Sequence, residues 1–272
     1  MRLVGAISLI GAVSFLLVAS GPAFISCSKS PTTHDTVVVT PPHDSLADGL
    51  VAYYNFTGGN TNDSSGNGNN IIVNNATATT DRNGKANNAY LFDGSTSYME
   101  VANSASLSPT DSITLFAIVK INGFYPGACH GNQILGKEIT DAENGVYSLR
   151  YADVTTPCAS LPVPADEVLG GFYGDNAVAR AGVVPAALMQ TGQWYFLAFT
   201  YDGANARLYI NGTLVDTEPA TITFSANTDP LFIGKLNSPG FPYYFNGVID
   251  EIRIYNHALR QSLITKLSNV TE

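Results

Sequence analysis

Between Trp194 and Val215 the chain reads WYFLAFTYDGANARLYINGTLV, and its aromatic and β-branched positions follow the two-residue period of strands rather than a helical one. Alternation puts Trp194, Phe196 and Ala198 on one face and Tyr195, Leu197 and Phe199 on the other, and both faces are apolar. Asp202-Gly203 supplies a turn, Arg207 to Ile210 runs back, and Asn211-Gly212 offers the positive φ of a two-residue hairpin before Thr213 to Val215. A strand that is apolar on both sides needs a layer on each side, so this hairpin set belongs inside a sandwich, with Trp194 and its neighbours directed into the dry space between two sheets.

The same alternation recurs along the chain. Leu50 to Phe56 is a first strand, Ala89 to Phe92 and Tyr98 to Val101 follow, and Ile113 to Ile121 is a core strand. Val146 to Tyr151, Val168 to Tyr173, Leu231 to Lys235 and Tyr244 to Tyr255 extend the set, which predicts eight to twelve strands in two sheets. Helical spacing appears once, over Ala258 to Leu267, where Leu259, Leu263, Ile264 and Leu267 form one stripe behind the potential N-cap Asn256. A short amphipathic helix on the domain edge is expected there. With frequent turns and 272 residues, one all-β domain fits best.

The ordered pieces resemble LamG-like, concanavalin A-like jelly-roll domains. The matching residues are Gly49 to Phe56, Asp63-Ser64-Ser65-Gly66-Asn67-Gly68, Phe92-Asp93-Gly94 with Tyr98, the hairpin from Trp194, Ile233-Gly234, and Gly247 to Asn256. The resemblance implies a two-sheet antiparallel jelly-roll sandwich over residues 49–268, closed by a short C-terminal helix, with the first strand beside the last. It also implies a structural Ca²⁺ near the terminal strands, with Asp63 and Asp250 as side-chain candidates and Gly66 and Asn67 as sources of backbone oxygens. An Asx-turn loop with a separate charged residue on an edge strand accounts for the same residues.

Residues 1–26 carry one early base, Arg2, an apolar run from Leu3 to Ala19 and then small residues, the form of a secretory leader. Phe24-Ile25-Ser26-Cys27 resembles a bacterial lipobox, with Phe24 where Leu is usual, which implies lipidation of Cys27 and a membrane partner for the exported chain. Residues 27–48 are polar, Thr-rich and Pro-bearing, as in a flexible tether. Beyond the leader, 12 basic residues face 22 acidic ones, so phosphate backbones are repelled and nucleic acid is a poor partner. Of three cysteines, lipidation removes Cys27 and leaves Cys129 and Cys158 as a disulfide pair, with two free buried thiols as the alternative.

Loops expected at one rim carry Phe124, Tyr125, Phe241, Tyr243 and Tyr244 with His130, Asn132, Asp175 and Asn176. Flat aromatic faces beside amide and carboxylate groups suit a sugar ring, whose C–H face is apolar while its hydroxyls need paired donors and acceptors. Catalysis is not expected. The glucanases of the same superfamily place acidic residues at alternating positions of one strand, whereas the nearest counterpart here, Glu251-Ile252-Arg253-Ile254-Tyr255, has Arg253 and Tyr255 in the second and third positions. The expected function is therefore glycan binding by a lipid-anchored surface module; a module that contacts protein partners without sugar is the alternative.

Overall fold

A computed structural model of the chain describes residues 45–125, 131–138, 145–152, 167–173, 178–181, 189–223 and 227–270. Cys27, Cys129, His130, Cys158, Asp175 and Asn176 lie outside the described residues, as do the leader and most of the tether. In chain order the first strands are β1 (Leu50–Tyr54), β2 (Ile71–Asn74), β3 (Thr77–Thr79), β4 (Ala89–Asp93), β5 (Met99–Val101), β6 (Ile113–Ile121) and β7 (Gly131–Glu138). They are followed by β8 (Gly145–Ala152), β9 (Glu167–Tyr173), β10 (Val178–Ala181), β11 (Trp194–Tyr201), β12 (Asn205–Ile210), β13 (Thr213–Pro219), β14 (Leu231–Ile233), β15 (Asn246–Tyr255) and the helix α1 (Gln261–Ser268).

The strands form two antiparallel sheets. One runs β13-β12-β11-β6-β15-β4-β3, with β1 also paired to β15; the other runs β10-β9-β8-β7-β14-β5-β2. The expected all-β sandwich with one short C-terminal helix is therefore the observed fold. β1 lies against β15, as expected, through Ala52–Ile254 and Tyr54–Ile252. More strands are found than expected because β2, β3 and β10 are short pieces of three or four residues with little alternation to read. β7 also lacks a legible strand pattern, since GNQILGKE interrupts its apolar residues with polar and glycine positions.

The interior between the sheets takes Leu115, Ala117, Val119 and Ile121 of β6, Tyr195, Leu197, Phe199 and Tyr201 of β11, and Ile249, Ile252 and Ile254 of β15. These meet Leu135 of β7, Tyr147, Leu149 and Tyr151 of β8, and Leu231 and Ile233 of β14. The orientation expected for Trp194 is corrected here. Trp194, Phe196 and Ala198 face the opposite way, into a second apolar cluster with Phe116, Ile118, Tyr209 and Tyr255. α1 covers that outer face with Leu263, Ile264 and Leu267. Both faces of β11 are indeed covered, one by a sheet and the other by a helix, and periodicity alone does not distinguish the two lids.

α1 consequently lies on a sheet face rather than at the domain edge, and it starts at Gln261 with Arg260 as its N-cap. Asn256 does not cap it. The chain first runs extended across β6, where the buried Thr114 hydroxyl donates to the His257 carbonyl at 2.8 Å and accepts from the Leu259 N–H at 2.8 Å. The Asn211-Gly212 turn seats the other side of the helix, and both residues have positive φ, 50° and 76°. The Gln261 side-chain amide donates to the Gly212 carbonyl at 2.6 Å.

Candidate functional site

The loop 234–245 leaves one sheet at β14 and enters the other at β15, so it crosses a rim of the sandwich. Its base is closed by the Phe245 N–H donating to the Gly234 carbonyl at 2.9 Å and the Leu236 N–H donating to the Pro242 carbonyl at 2.7 Å. A neighbouring turn and strand β7 clamp it: the Gly94 N–H donates to the Phe245 carbonyl at 3.0 Å, and the Gln133 N–H to the Tyr243 carbonyl at 2.8 Å. The Asn132 carboxamide oxygen accepts from the Asn246 N–H at 3.1 Å. Gly234, at φ 81°, has no room for a side chain, because a Cβ there would stand 2.3 Å from the Phe92 ring.

Four of the five expected aromatics meet at this loop. The Tyr125 ring lies 6.2 Å from Tyr243, edge to face, and 6.4 Å from Tyr244. Phe241 joins at 6.1 Å from Tyr243. Their roles differ. Tyr243 is only 1% exposed and packs with Leu236 beneath Tyr125 and Phe241, so it supports the patch from below. Tyr125, Phe241 and Tyr244 are partly exposed and offer surface. Phe124, next in sequence to Tyr125, instead stacks on the core residue Tyr151 at 5.3 Å and belongs to the packing of the interior.

A shallow cleft of about 200 Å³ opens beside Tyr244, lined by Lys235, Leu236, Asn237, Ser238, Pro239 and Pro242. Lys235 holds its Nζ 4.0 Å above the Tyr98 ring and 4.5 Å above Phe232. Burial pushes the Lys235 ammonium down from its ordinary pKa, opposed by the charge of Glu100. The Tyr244 hydroxyl is pushed up, first by burial and then by Tyr98, Tyr125 and Asp93 nearby. A cation, an amide, hydroxyls and aromatic faces thus converge on one side of the loop. Lys235, Asn237 and Ser238 are not evident as site residues from sequence, since LNSPG reads as an ordinary turn, and Tyr98 stands out there only for the family resemblance until the fold brings it beneath Lys235.

The Asp63 carboxylate is a turn staple. Its Oδ1 accepts from the Tyr53 N–H at 2.9 Å and the Ser65 N–H at 2.8 Å, and its Oδ2 accepts from the Ser65 hydroxyl at 2.8 Å and the Asn69 N–H at 3.0 Å. Asn67 and Asn69 then donate side-chain amides to the Leu50 and Val51 carbonyls of β1 at 2.9 and 2.7 Å, and Gly66 supplies the φ of 89° that bends the loop back. Asp250, 3% exposed, is engaged elsewhere, by the Arg82 guanidinium at 2.9 Å and the Arg82 N–H at 3.1 Å. Four donors fill the roughly four lone-pair sites of Asp63, and the second carboxylate serves a different partner. The set Asp63, Gly66, Asn67 and Asp250 does not fit a Ca²⁺ ion, which needs six to eight oxygens turned inward. Among the described residues no group of three or more His, Cys, Asp or Glu side chains converges as metal ligands.

The strand position that resembles a glucanase acid is likewise occupied. Glu251 Oε1 lies 2.6 Å from Arg253 Nε, and Arg253 in turn stacks 4.1 Å over Tyr53 and donates to its hydroxyl at 3.1 Å. This carboxylate is buried in an ion pair rather than open to a cleft.

Comparison with known proteins reinforces the architecture. The family described as Concanavalin A-like lectin/glucanases superfamily matches residues 93–265. Among curated proteins none matches the chain by sequence. Among solved structures, the binding domain of Paraclostridial Mosquitocidal Protein 1 superposes with a TM-score of 0.63 at 15% identity, covering 83% of this chain and 53% of that one. Domain 4 of the extracellular arabinanase AbnA from Geobacillus stearothermophilus, solved in complex with arabinotriose, gives 0.57 at 22% identity over 81% of this chain and 98% of its own. The binding domain of botulinum neurotoxin DC in complex with SialylT gives 0.60 at 15% identity, over 83% and 52%. The chain spans about half the length of these toxin domains.

Proposed function

Because the chain belongs to the concanavalin A-like lectin/glucanases superfamily, we propose that it is a non-catalytic carbohydrate-binding module, exported and held to a bacterial membrane by lipid on Cys27. The observation that carries this reading is the patch of Tyr125, Phe241 and Tyr244 beside a cleft lined by Asn237, Ser238 and Lys235. A sugar ring laid on Tyr244 pairs its C–H face with the phenol, while its hydroxyls reach amide, hydroxyl and ammonium groups that have the donors and acceptors they need. Folds of the same architecture bound to arabinotriose and SialylT are compatible with a glycan ligand. The Glu251–Arg253 pair supports a non-catalytic role, because a carboxylate locked to a guanidinium is a poor acid or nucleophile. A Cys129–Cys158 disulfide remains part of this proposal for an exported domain; an unchanged count of alkylatable thiols with and without reductant would refute it.

The test is a glycan array probed with the full chain, alongside incubation with polysaccharides. Binding to a defined set of glycans without released sugar products is expected. Specific capture of a protein partner with no glycan signal would turn the assignment to a protein-contact module, and sugar release would make the chain an enzyme.

A further inference from the structure

One lysine is among the largest fully buried side chains. Lys137 of β7 is 0% exposed, and its Nζ lies 3.0 Å from the Ser108 hydroxyl, 3.0 Å from the Asn227 carbonyl and 2.5 Å from Asn227 Oδ1. The topology explains the meeting. β7 pairs with β14 through Leu135–Ile233 and Gly136–Phe232, so the segment just before β14 runs beside the end of β7 where Lys137 stands. With a carbonyl bond of about 1.23 Å, the contact at Oδ1 brings Nζ within about 3.7 Å of Asn227 Cγ, near the separation of roughly 3 to 3.5 Å from which reacting atoms attack.

The Asp229 backbone faces the same amide, and its carboxylate lies close enough for its charge to act on Lys137. The Asp229 N–H donates to Asn227 Oδ1 at 3.3 Å, where charge would gather on an attacked carbonyl. Asp229 Oδ2 is buried and has no hydrogen-bond partner among the described residues. Burial pushes the Lys137 ammonium down to about 8, opposed by the Asp229 charge, so a useful fraction is the neutral amine near neutral pH.

We propose that Lys137 and Asn227 close an intramolecular amide cross-link, formed by the chain itself. The Nζ lone pair attacks Asn227 Cγ, and the resulting oxyanion at Oδ1 is met by the Asp229 N–H. The Asp229 carboxylate takes the proton from Nζ and passes it to Nδ2. The Cγ–Nδ2 bond breaks, one ammonia leaves, and one Nζ–Cγ amide remains. No oxidant or co-reactant is consumed. The product ties β7 to the approach to β14 across 90 residues of sequence, which restricts the unfolded chain as a disulfide does without depending on redox conditions. This inference stands apart from the glycan-binding reading.

Peptide mapping of the full chain tests it. After denaturation, reduction and trypsin, mass spectrometry should find a branched peptide joining the segments of Lys137 and Asn227, lighter by one ammonia than the two together, with cleavage after Lys137 abolished. Lys137→Arg and Asn227→Ala should each yield linear peptides only. Asp229→Asn, which keeps the N–H and removes the base, should lower the branched species by at least about tenfold. Linear peptides alone from the wild-type chain, cut after Lys137, would overturn the cross-link and leave Lys137 as a hydrogen-bonded buried ammonium. A branched yield unchanged in Asp229→Asn would overturn the role given to Asp229.

Discussion

Asp250 Oδ2 lies 2.9 Å from Arg82 Nη1, with both side chains almost fully buried. Asp250 sits at the irregularity between Ile249 and Glu251, where one edge of β15 changes partner from β4 to β1. The same guanidinium donates to the Val270 carbonyl at 3.1 Å, so one ion pair pins the β3–β4 loop, the bulge of β15 and the segment after α1. Arg82→Met removes one partner and leaves a buried carboxylate. That exchange is expected to cost about 3–5 kcal/mol, read as a lower denaturation midpoint at unchanged slope.

The pair also sets a pH signature. Burial holds the Asp250 carboxyl above its ordinary pKa, with the Arg82 N–H and charge only partly offsetting it. A carboxyl raised in the folded state binds more protons there than in the unfolded chain, so its contribution to stability falls as pH rises through the folded value. In Arg82→Met that value rises further. The gap between variant and wild type should therefore narrow on acidification towards pH ~4, measured by urea midpoints across the range.

Asp93 has the opposite sign. Slight burial works to raise its pKa, but the N–H groups of Thr96, Ser97 and Ser95 and the Thr96 hydroxyl hold it well below the usual carboxylate range. Its contribution is present above the unfolded value of about 3.9 and disappears as pH falls through the folded one. Asp93→Ala should lower the midpoint at pH 6 and flatten its decline between pH 4 and pH 2, with the wild type showing the steeper acid limb.

Gly234→Ala is expected to destabilise by at least about 1–3 kcal/mol. The new Cβ would lie 2.3 Å from the Phe92 ring at a φ of 81° that side chains rarely adopt. Thermal unfolding reads the loss, and the loop 234–245 should lose amide protection first because its base closes at Gly234.

How much of this was legible beforehand depends on the range of the signal. The hairpin at Asn211-Gly212 is local chemistry, a positive-φ dipeptide between alternating runs, and it was readable residue by residue. Trp194 shows the limit. Its place on an apolar strand face was evident, yet it is only half-buried and packs against the outer cluster that α1, more than sixty residues away, helps to build. Asp63 and Asp250 carry the residue types of a cation site, but whether a carboxylate faces an ion, a turn of N–H groups or Arg82 is decided by backbone that spacing does not specify. The rim aromatics were partly legible for the same reason: Tyr125 and Tyr244 converge as expected, while Phe124 turns inward to Tyr151.

The most direct test of the binding rim compares Tyr244→Ala with Tyr244→Phe by titration calorimetry against the strongest array ligand. If the ring is the platform, the alanine variant should bind at least about tenfold more weakly, or 1.4 kcal/mol, the phenylalanine variant should retain most of the affinity, and neither should shift the thermal midpoint appreciably. Unchanged affinity in Tyr244→Ala would contradict a site on this loop.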